Sequence, residues 1–356
     1  MLDIELYKKL VNINAISGHE KAVRKVVREE LEKCTNEIVQ DKLGSIFGVS
    51  RGNGPVIMFA GHMDEVGFMV TGITEKGFIK IIPIGGIKAE VYVSQNMNIV
   101  INEEKVIRGI IGSIPPHLSK EAKAISPDDL VLDIGADNKQ AAIDMGVKVG
   151  QQVVSVNDFY YTEDGKKIVS KAWDDRFGVG LAIEMMRYAS SIEHPNTIYA
   201  GATVQEEVGC RGAITATQMV KPDFFFAFDV TTATDCMPAN PKTQSAIGDG
   251  FIVRVYDPGC IMNRALHEYI TTLAKDNNIK YQEYMPSGGT DASKAQFAGS
   301  GVFSTCLAVC ARYIHSTATM IHLDDMEAVK ALAEAIVRTL DNEKMEEIKR
   351  NMWWKL

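Results

Sequence analysis

Two runs in this chain, VIMFA at 56–60 and FFFAF at 224–228, are apolar at every position. A strand with one wet face alternates apolar and polar side chains. A strand apolar on both faces must be covered on both, the habit of sheets sandwiched between helices. Segments of helical spacing alternate with such runs: VGLAIEMMRYA, GAITATQMV, RALHEYITTLAKDN, TDASKAQFA and DDMEAVKALAEAIVRTL stand among the strand-like TIYAGATVQ, FIVRVYD and VFSTCLAV. This pattern predicts an α/β fold, a mixed and mainly parallel sheet flanked by helices. Two helices are expected ahead of it, over 3–15 and 18–34. The second opens at SGHE, where Ser17 and Glu20 have capping-box spacing.

From about Gly67 to Val169 the texture changes. GFMVTGI, GFIKIIPIG, VYVSQNMNIVI, VIRGIIGSI and QQVVSVN are short, β-branched and bounded by turns, with one helix expected near NKQAAIDMG. We therefore expect a discontinuous α/β body over 1–67 and 169–356, interrupted by a small β-rich domain over 68–168. The tail NEKMEEIKRNMWWKL reads as a helix whose Trp353 and Trp354 dock on the body or on a neighbouring subunit.

A chain of 356 residues is comfortable for two domains. Its net charge of −8 argues against a nucleic-acid partner, which needs Lys and Arg to neutralise phosphates. No apolar stretch approaches the roughly 18 residues that span a bilayer. The acidic, amphipathic start MLDIELYKKLVNINA lacks a secretory pattern. The six cysteines form no CxxC pair, so they read as reduced thiols of a cytoplasmic protein, with the CLAVC pair at 306–310 as core filler.

Acids and histidines gather at the ends of apolar runs. His62 and Asp64 stand in GHMDEVG, Asp174 and Asp175 in KAWDDRFG, Glu206 and Glu207 in TVQEEVG, Asp229 in FFFAFDV and His315 in ARYIHS. Residues i and i+2 of a strand share a face, so His62 and Asp64 emerge side by side. Open α/β sheets build sites at the carboxyl ends of their strands, where distant residues converge. Carboxylates gathered together repel unless they are protonated or neutralised. Two histidines with several acids suit Zn2+, Mn2+ or Co2+. Two such ions sharing a carboxylate and a water are an established arrangement for amide hydrolysis.

The ordered set GHMDEVG, KAWDDR, VQEEVG, FDV, GGTDAS and ARYIHS, with ISGHE near the start and GSIPPHL in the β-rich stretch, resembles the M42 family of metallo-aminopeptidases along essentially the whole chain. The resemblance implies a zinc-exopeptidase-like fold with an inserted dimerisation domain. It assigns His62 and Asp229 to one divalent ion, Glu207 and His315 to a second, and Asp174 as the bridge between them. It makes Glu206 the general base, places Asp64 behind His62 to orient it, and sets GGTDAS, with Asp291, at the wall of the site. It also implies an unusual peptide bond between Asp174 and Asp175. Two ions per subunit are implied, Zn2+ or Co2+, with Mn2+ a further choice. The implied substrates are short peptides, cleaved one N-terminal residue at a time. The implied partner is a second copy of the chain, a dimer at least, with a dodecameric shell as the larger option.

Several residues keep two readings. Glu206 and Glu207 would point to opposite faces of an ideal strand, so a turn aided by Gly209 must bring both to the site. Asp175 either takes part in the site or caps the next helix and pairs with Arg176. His322 reads as structural. His117 either sits on a surface loop or reaches a neighbouring subunit's site. Arg254, in FIVRVYDPG, either pairs with an acidic substrate side chain or makes an ordinary ion pair. Rival functions are deacylation of small N-acyl amino acids, glycoside hydrolysis, and a scaffold that has lost activity. A glycosidase would use two acids but gives no reason for two histidines and a shared Asp.

Overall fold

A computed structural model describes residues 1–113, 117, 125–236 and 244–352. Among them an 11-stranded mixed sheet forms the body. Its centre is parallel, in the order Thr197–Thr203, Val56–His62, Phe224–Thr232, Phe303–Arg312. On one side Ile46–Ser50 and then Ile38–Gln40 continue it antiparallel. On the other, Phe303–Arg312 pairs with Phe251–Arg254 in its middle and with Thr319–His322 near its end. Lys167–Ser170 and Tyr160–Tyr161 extend that edge, and Tyr281–Tyr284 lies parallel to Phe251–Arg254.

The runs that are apolar throughout are the central strands. Phe59 stacks between Phe226 and Phe228, with ring centroids 5.5 and 5.3 Å away. Each such ring, fully buried, contributes about 1.5–3 kcal/mol. The Trp173–Ser191 helix covers one face so closely that strand and helix touch through glycines. A Cβ on Gly61 would stand 2.2 Å from the Gly178 carbonyl carbon, and one on Gly178 would stand 2.7 Å from the Phe228 oxygen. This contact holds the start of the helix, with Asp174 and Asp175, against the end of the Val56–His62 strand.

Gly67–Ile73, Ile79–Ile84, Val131–Asp133, Val106–Ile111, Asn96–Val100 and Gln152–Ser155 close in that order into a barrel. Closure removes exposed strand edges. Phe68 and Tyr92 meet edge-to-face in its interior, 5.1 Å apart, with Val70, Met97, Leu132 and Val153 around them. The barrel's last strand ends at Ser155, and Lys167–Ser170 already belongs to the large sheet, ahead of residue 169 where the sequence suggested the body resumes. Short β-branched strands look alike whichever sheet they join.

Local expectations fare unevenly. The first helices are Ile4–Val11 and Lys21–Leu31, shorter than anticipated. The capping box does not form: the cap is Glu20, without a side-chain bond to the helix, and the Ser17 hydroxyl donates to Asp64 instead. Asn138 does cap the Lys139–Asp144 helix. Asn342–Met352 is helical as expected, whereas Trp353 and Trp354 lie outside the described residues.

Candidate active site

The parallel strands deliver their carboxyl ends to one cleft of about 1000 Å³, lined by His62, Asp174, Glu206, Glu207, Asp229 and His315 among others. His62 is the last residue of its strand and is buried. Its Nε2 lies 3.1 Å from Asp174 Oδ1 and 3.9 Å from Glu206 Oε2. His315 follows the Phe303–Arg312 strand, in a left-handed conformation with φ of 57°. Its Nε2 lies 3.4 Å from Asp174 Oδ2 and 3.7 Å from Glu207 Oε2. The two oxygens of Asp174 thus face two different imidazoles. Asp174 is joined to Asp175 by a cis peptide bond.

The other ring nitrogens point away from Asp174 and are engaged. His62 Nδ1 lies 3.0 Å from the Asp64 carbonyl oxygen and 3.5 Å from Asp64 Oδ1. His315 Nδ1 lies 2.8 Å from the carbonyl oxygen of Gly86, in the loop that leaves the Ile79–Ile84 strand of the barrel. These contacts leave each Nε2 free to act as a ligand. A Cβ on Gly86 would stand 3.2 Å from His315 Nδ1, so a small residue suits this approach.

Glu206 and Glu207 lie beyond the strand end at Thr203, in a turn where Gln205 and Cys210 have positive φ and Gly209 has φ of 120°. The turn solves the opposite-faces problem. Asp64, fully buried, anchors it: the amides of Glu206 and Glu207 donate to Asp64 Oδ1 and Oδ2 at 3.0 and 3.2 Å, and Ser17 Oγ donates at 2.6 Å.

Asp175 accepts from the amides of His62, at 2.9 Å, and Gly178, at 2.8 Å. It therefore caps the helix and ties it to the strand. The expected pair with Arg176 is absent; Arg176 instead reaches Glu65 at 3.4 Å and the carbonyls of Met63, Leu10, Ile13 and Ala15. Lys171 joins Glu65 at 2.6 Å, which completes a buried ionic group that the sequence did not flag. His322 is a helix cap, accepting from the Asp324 amide at 3.1 Å. His117 is exposed and does not line the cleft, and most of the GSIPPHL segment around it lies outside the described residues.

Arg254 lines the cleft. Its Nη2 donates to the Gly288 carbonyl and lies 3.7 Å from Asp257, while its Nε is buried without a partner. Gly288 and Gly289 form part of the wall, as expected of GGTDAS, but Asp291 does not. Its side chain turns inward, accepts from Thr203 Oγ1, and lies near Glu206 and Cys210, because the chain enters a short helix there. Cys210, which no sequence motif marked, donates its thiol to Glu206 Oε1 at 3.1 Å.

The electrostatics show what the donor set lacks. Burial, then Asp174, pushes Glu207 up to about 8 and Asp229 up to about 7. Burial likewise raises Glu206 and Asp175 well above the carboxylate range. Burial works against the charge of His315, but Asp174 and Glu207 hold it up at about 10. Buried acids that would rather keep their protons are short of positive charge. Ligand-type atoms of His62, Asp174 and Glu207 lie within 4.8 Å of one another, as do those of His62, Asp175 and Asp229. Glu207 Oε1 is buried without a hydrogen-bond partner. Nitrogen and oxygen donors at this spacing, with an unpaired oxygen among them, fit divalent cations.

Residues 44–332 match the family described as M42 glutamyl aminopeptidase. The glutamyl aminopeptidase of Lactococcus lactis is 36% identical over 351 residues, covering 96% of this chain and 98% of that one. The lysyl aminopeptidase of Pyrococcus furiosus is 32% identical, with 96% and 98% covered. Among solved structures, a TET aminopeptidase from a marine sediment archaeon of the Thaumarchaeota superposes with a TM-score of 0.93 at 35% identity, covering 97% of this chain and 99% of that one. The TET1 peptidase of Pyrococcus horikoshii, described as assembling into a tetrahedron or a large octahedral shell, superposes with a TM-score of 0.84 at 32% identity, covering 94% and 99%.

Proposed function

The chain belongs to the M42 glutamyl aminopeptidase family of metallo-aminopeptidases, and from that premise we propose that it removes acidic N-terminal residues from short peptides, using two divalent cations per subunit. The observation that carries the proposal is the Asp174 carboxylate set between two imidazoles, with Glu206 and Glu207 beside it on one turn.

In this reading His62 and Asp229 would hold one cation and Glu207 and His315 the other, with Asp174, which faces both imidazoles, available to both. When bound, the cations supply the positive charge that polarises a scissile carbonyl and acidifies a water. Glu206 reaches to within 3.9 Å of His62 Nε2 and is the proton carrier. It takes the proton of the attacking water and returns it to the leaving amine. The acids of the cleft hold the free α-amino group of the peptide. Asp64 keeps the Glu206–Glu207 turn and His62 in register. Arg254 supplies positive charge to the cleft wall for an acidic side chain, which favours the glutamyl over the lysyl preference of the two named relatives.

The ion complement is Zn2+ or Co2+, with Mn2+ a further choice. The barrel within 68–168 serves as the dimerisation domain, and the chain forms a homo-oligomer, a dimer at least with a dodecamer as the larger option; the TET1 peptidase, described as assembling into a tetrahedron or a large octahedral shell, supports the larger end. Among the described residues no helix is long and apolar enough to cross a membrane. The six cysteines are free, which supports a cytoplasmic setting.

The test is hydrolysis of a panel of amino-acid p-nitroanilides by protein stripped of metal and reloaded with Zn2+, Co2+ or Mn2+. We expect activity only after reloading, with Glu and Asp anilides cleaved fastest. Fastest cleavage of the Lys anilide would overturn the acidic preference, and full activity of the stripped protein would overturn the metal reading.

A further inference from the structure

Behind the proton carrier lies a second donor group that shares no residue with the five ligands named above. Ligand-type atoms of Glu206, Cys210 and Asp291 lie within 4.8 Å of one another. Cys210 Sγ lies 3.1 Å from Glu206 Oε1, and Ser293 Oγ donates to Cys210 Sγ from 3.8 Å. Asp291 is 3% exposed, and its Oδ1 has no hydrogen-bond partner. A thiol that merely capped Glu206 would leave that oxygen unexplained. Thr290 Oγ1, next to it in sequence, is also buried and unpartnered. Glu206 and Cys210 line the cleft, so the group can be reached from solvent.

We propose that Glu206, Cys210 and Asp291 form a separate cation site, which takes a thiophilic divalent ion such as Zn2+ or Cd2+ and silences the enzyme by holding Glu206. The inhibitory half rests on the reading of Glu206 as proton carrier. A sulfur with two carboxylates is a set that selects thiophilic ions, whereas the catalytic ligands are nitrogen and oxygen alone. On binding, the Cys210 S–H bond breaks, an S–metal bond forms, and the proton passes to solvent. The thiolate and two carboxylates then more than balance the charge of the ion, and Glu206 can no longer accept a proton from water.

The same surroundings disfavour a different use of the thiol. Burial, then Glu206 and Asp291, pushes Cys210 far above the ordinary thiol range. Little thiolate is therefore present for oxidation or alkylation. A soft cation needs no standing thiolate, because it displaces the proton as it binds.

The experiment uses the enzyme with its catalytic metals in place. Cd2+ is titrated in while the ultraviolet absorption of cadmium–thiolate bonds and the cleavage of a p-nitroanilide are followed together. The same readings are taken on Cys210→Ser and Asp291→Asn, and excess Zn2+ is tested for inhibition in parallel. We expect a cadmium–thiolate band in the parent enzyme that Cys210→Ser lacks. Asp291→Asn, which keeps the thiol, should need about tenfold more Cd2+ to show it. Excess Zn2+ should inhibit the parent about tenfold more strongly than Cys210→Ser. A band of equal size in the parent and in Cys210→Ser would overturn the site. A band confined to the parent, with equal Zn2+ inhibition of both, would leave the site standing and overturn inhibition through it, while the rate of Glu206→Gln tests the proton carrier separately.

Discussion

Asp64 shows how much one buried side chain can organise. It accepts from Ser17 and from the amides of Glu206 and Glu207, and its carbonyl oxygen faces His62. Asp64→Ala removes the acceptor of two half-buried amides, a loss of up to about 1–3 kcal/mol for each group left unpaired. It should lower metal affinity by roughly 10–100-fold, as loss of a residue that supports a ligand does. Metal retention during dialysis against a graded chelator measures this, and unchanged retention would count against the role. Glu206→Gln is the complementary case. It keeps the shape and the Cys210 contact, so two metals per subunit should remain by elemental analysis while kcat falls by roughly 10²–10⁴-fold. A near-normal rate would remove Glu206 from its role. Much at this scale was legible in the sequence. His62, Glu207 and His315 stand at or just past strand ends, and Asp229 stands where the apolar run of its strand stops although the strand continues to Thr232; such places are readable from apolar runs. Ser17, Cys210 and the inward turn of Asp291 were not, because each depends on contacts between segments far apart in the chain. The Ser17–Glu20 spacing even pointed to a helix cap, since a local motif carries no record of the distant Asp64 that takes the hydroxyl instead.

At the scale of elements, the site depends on a strand and a helix that touch without side chains between them. Gly61→Ala would push a methyl against the Gly178–Val179 backbone, with contacts of 2.2 and 2.3 Å. Backbone cannot swing aside as a side chain can, so one element must retreat. We expect a loss of about 1–3 kcal/mol or more in denaturant unfolding, and a fall in activity beyond what lower stability explains, because Asp174 and His62 ride on the two elements. An Ala variant with native stability and rate would show that the contact is loose. The Leu323–Thr339 helix offers a pH-dependent case away from the cleft residues. Asp325, near its start, accepts from the amides of Gly248 and Gly250, and burial pushes it up to about 6. A carboxyl whose pKa is higher folded than unfolded favours the native state most below its unfolded value, and loses that contribution as pH rises through the folded one. Relative to Asp325→Asn, the parent should therefore become less stable as pH rises from 3.8 to about 6. A stability difference that is flat across that window would refute the assignment. The helices and central strands were foreseeable from periodicity. The pairing of Lys167–Ser170 with Thr319–His322 was not, since partner choice is settled by tertiary contacts and not by the strand's own composition.

For the molecule as a whole, stripping metal is the broadest test. Buried carboxylates as close as these repel one another unless something neutralises them. Because ions that bind the native state alone stabilise it by mass action, chelation should lower the thermal midpoint by a few degrees, and Zn2+ or Co2+ should restore it. No change on chelation would mean that the cluster does not hold metal in the folded protein. The two-part architecture, an α/β body with a β-rich insertion, was visible as a change of texture along the sequence. What the texture did not disclose is that the insertion's Gly86 carbonyl steadies His315. The Tyr92 hydroxyl also donates to the His315 carbonyl at 3.4 Å, so the barrel helps to frame the cleft as well as adjoin it. A body excised from its barrel would keep His315 beside Asp174 and Glu207 but lose the carbonyl that fixes the other ring nitrogen. Any tilt of the barrel is thereby transmitted to the ring of His315, in the wall of the cleft.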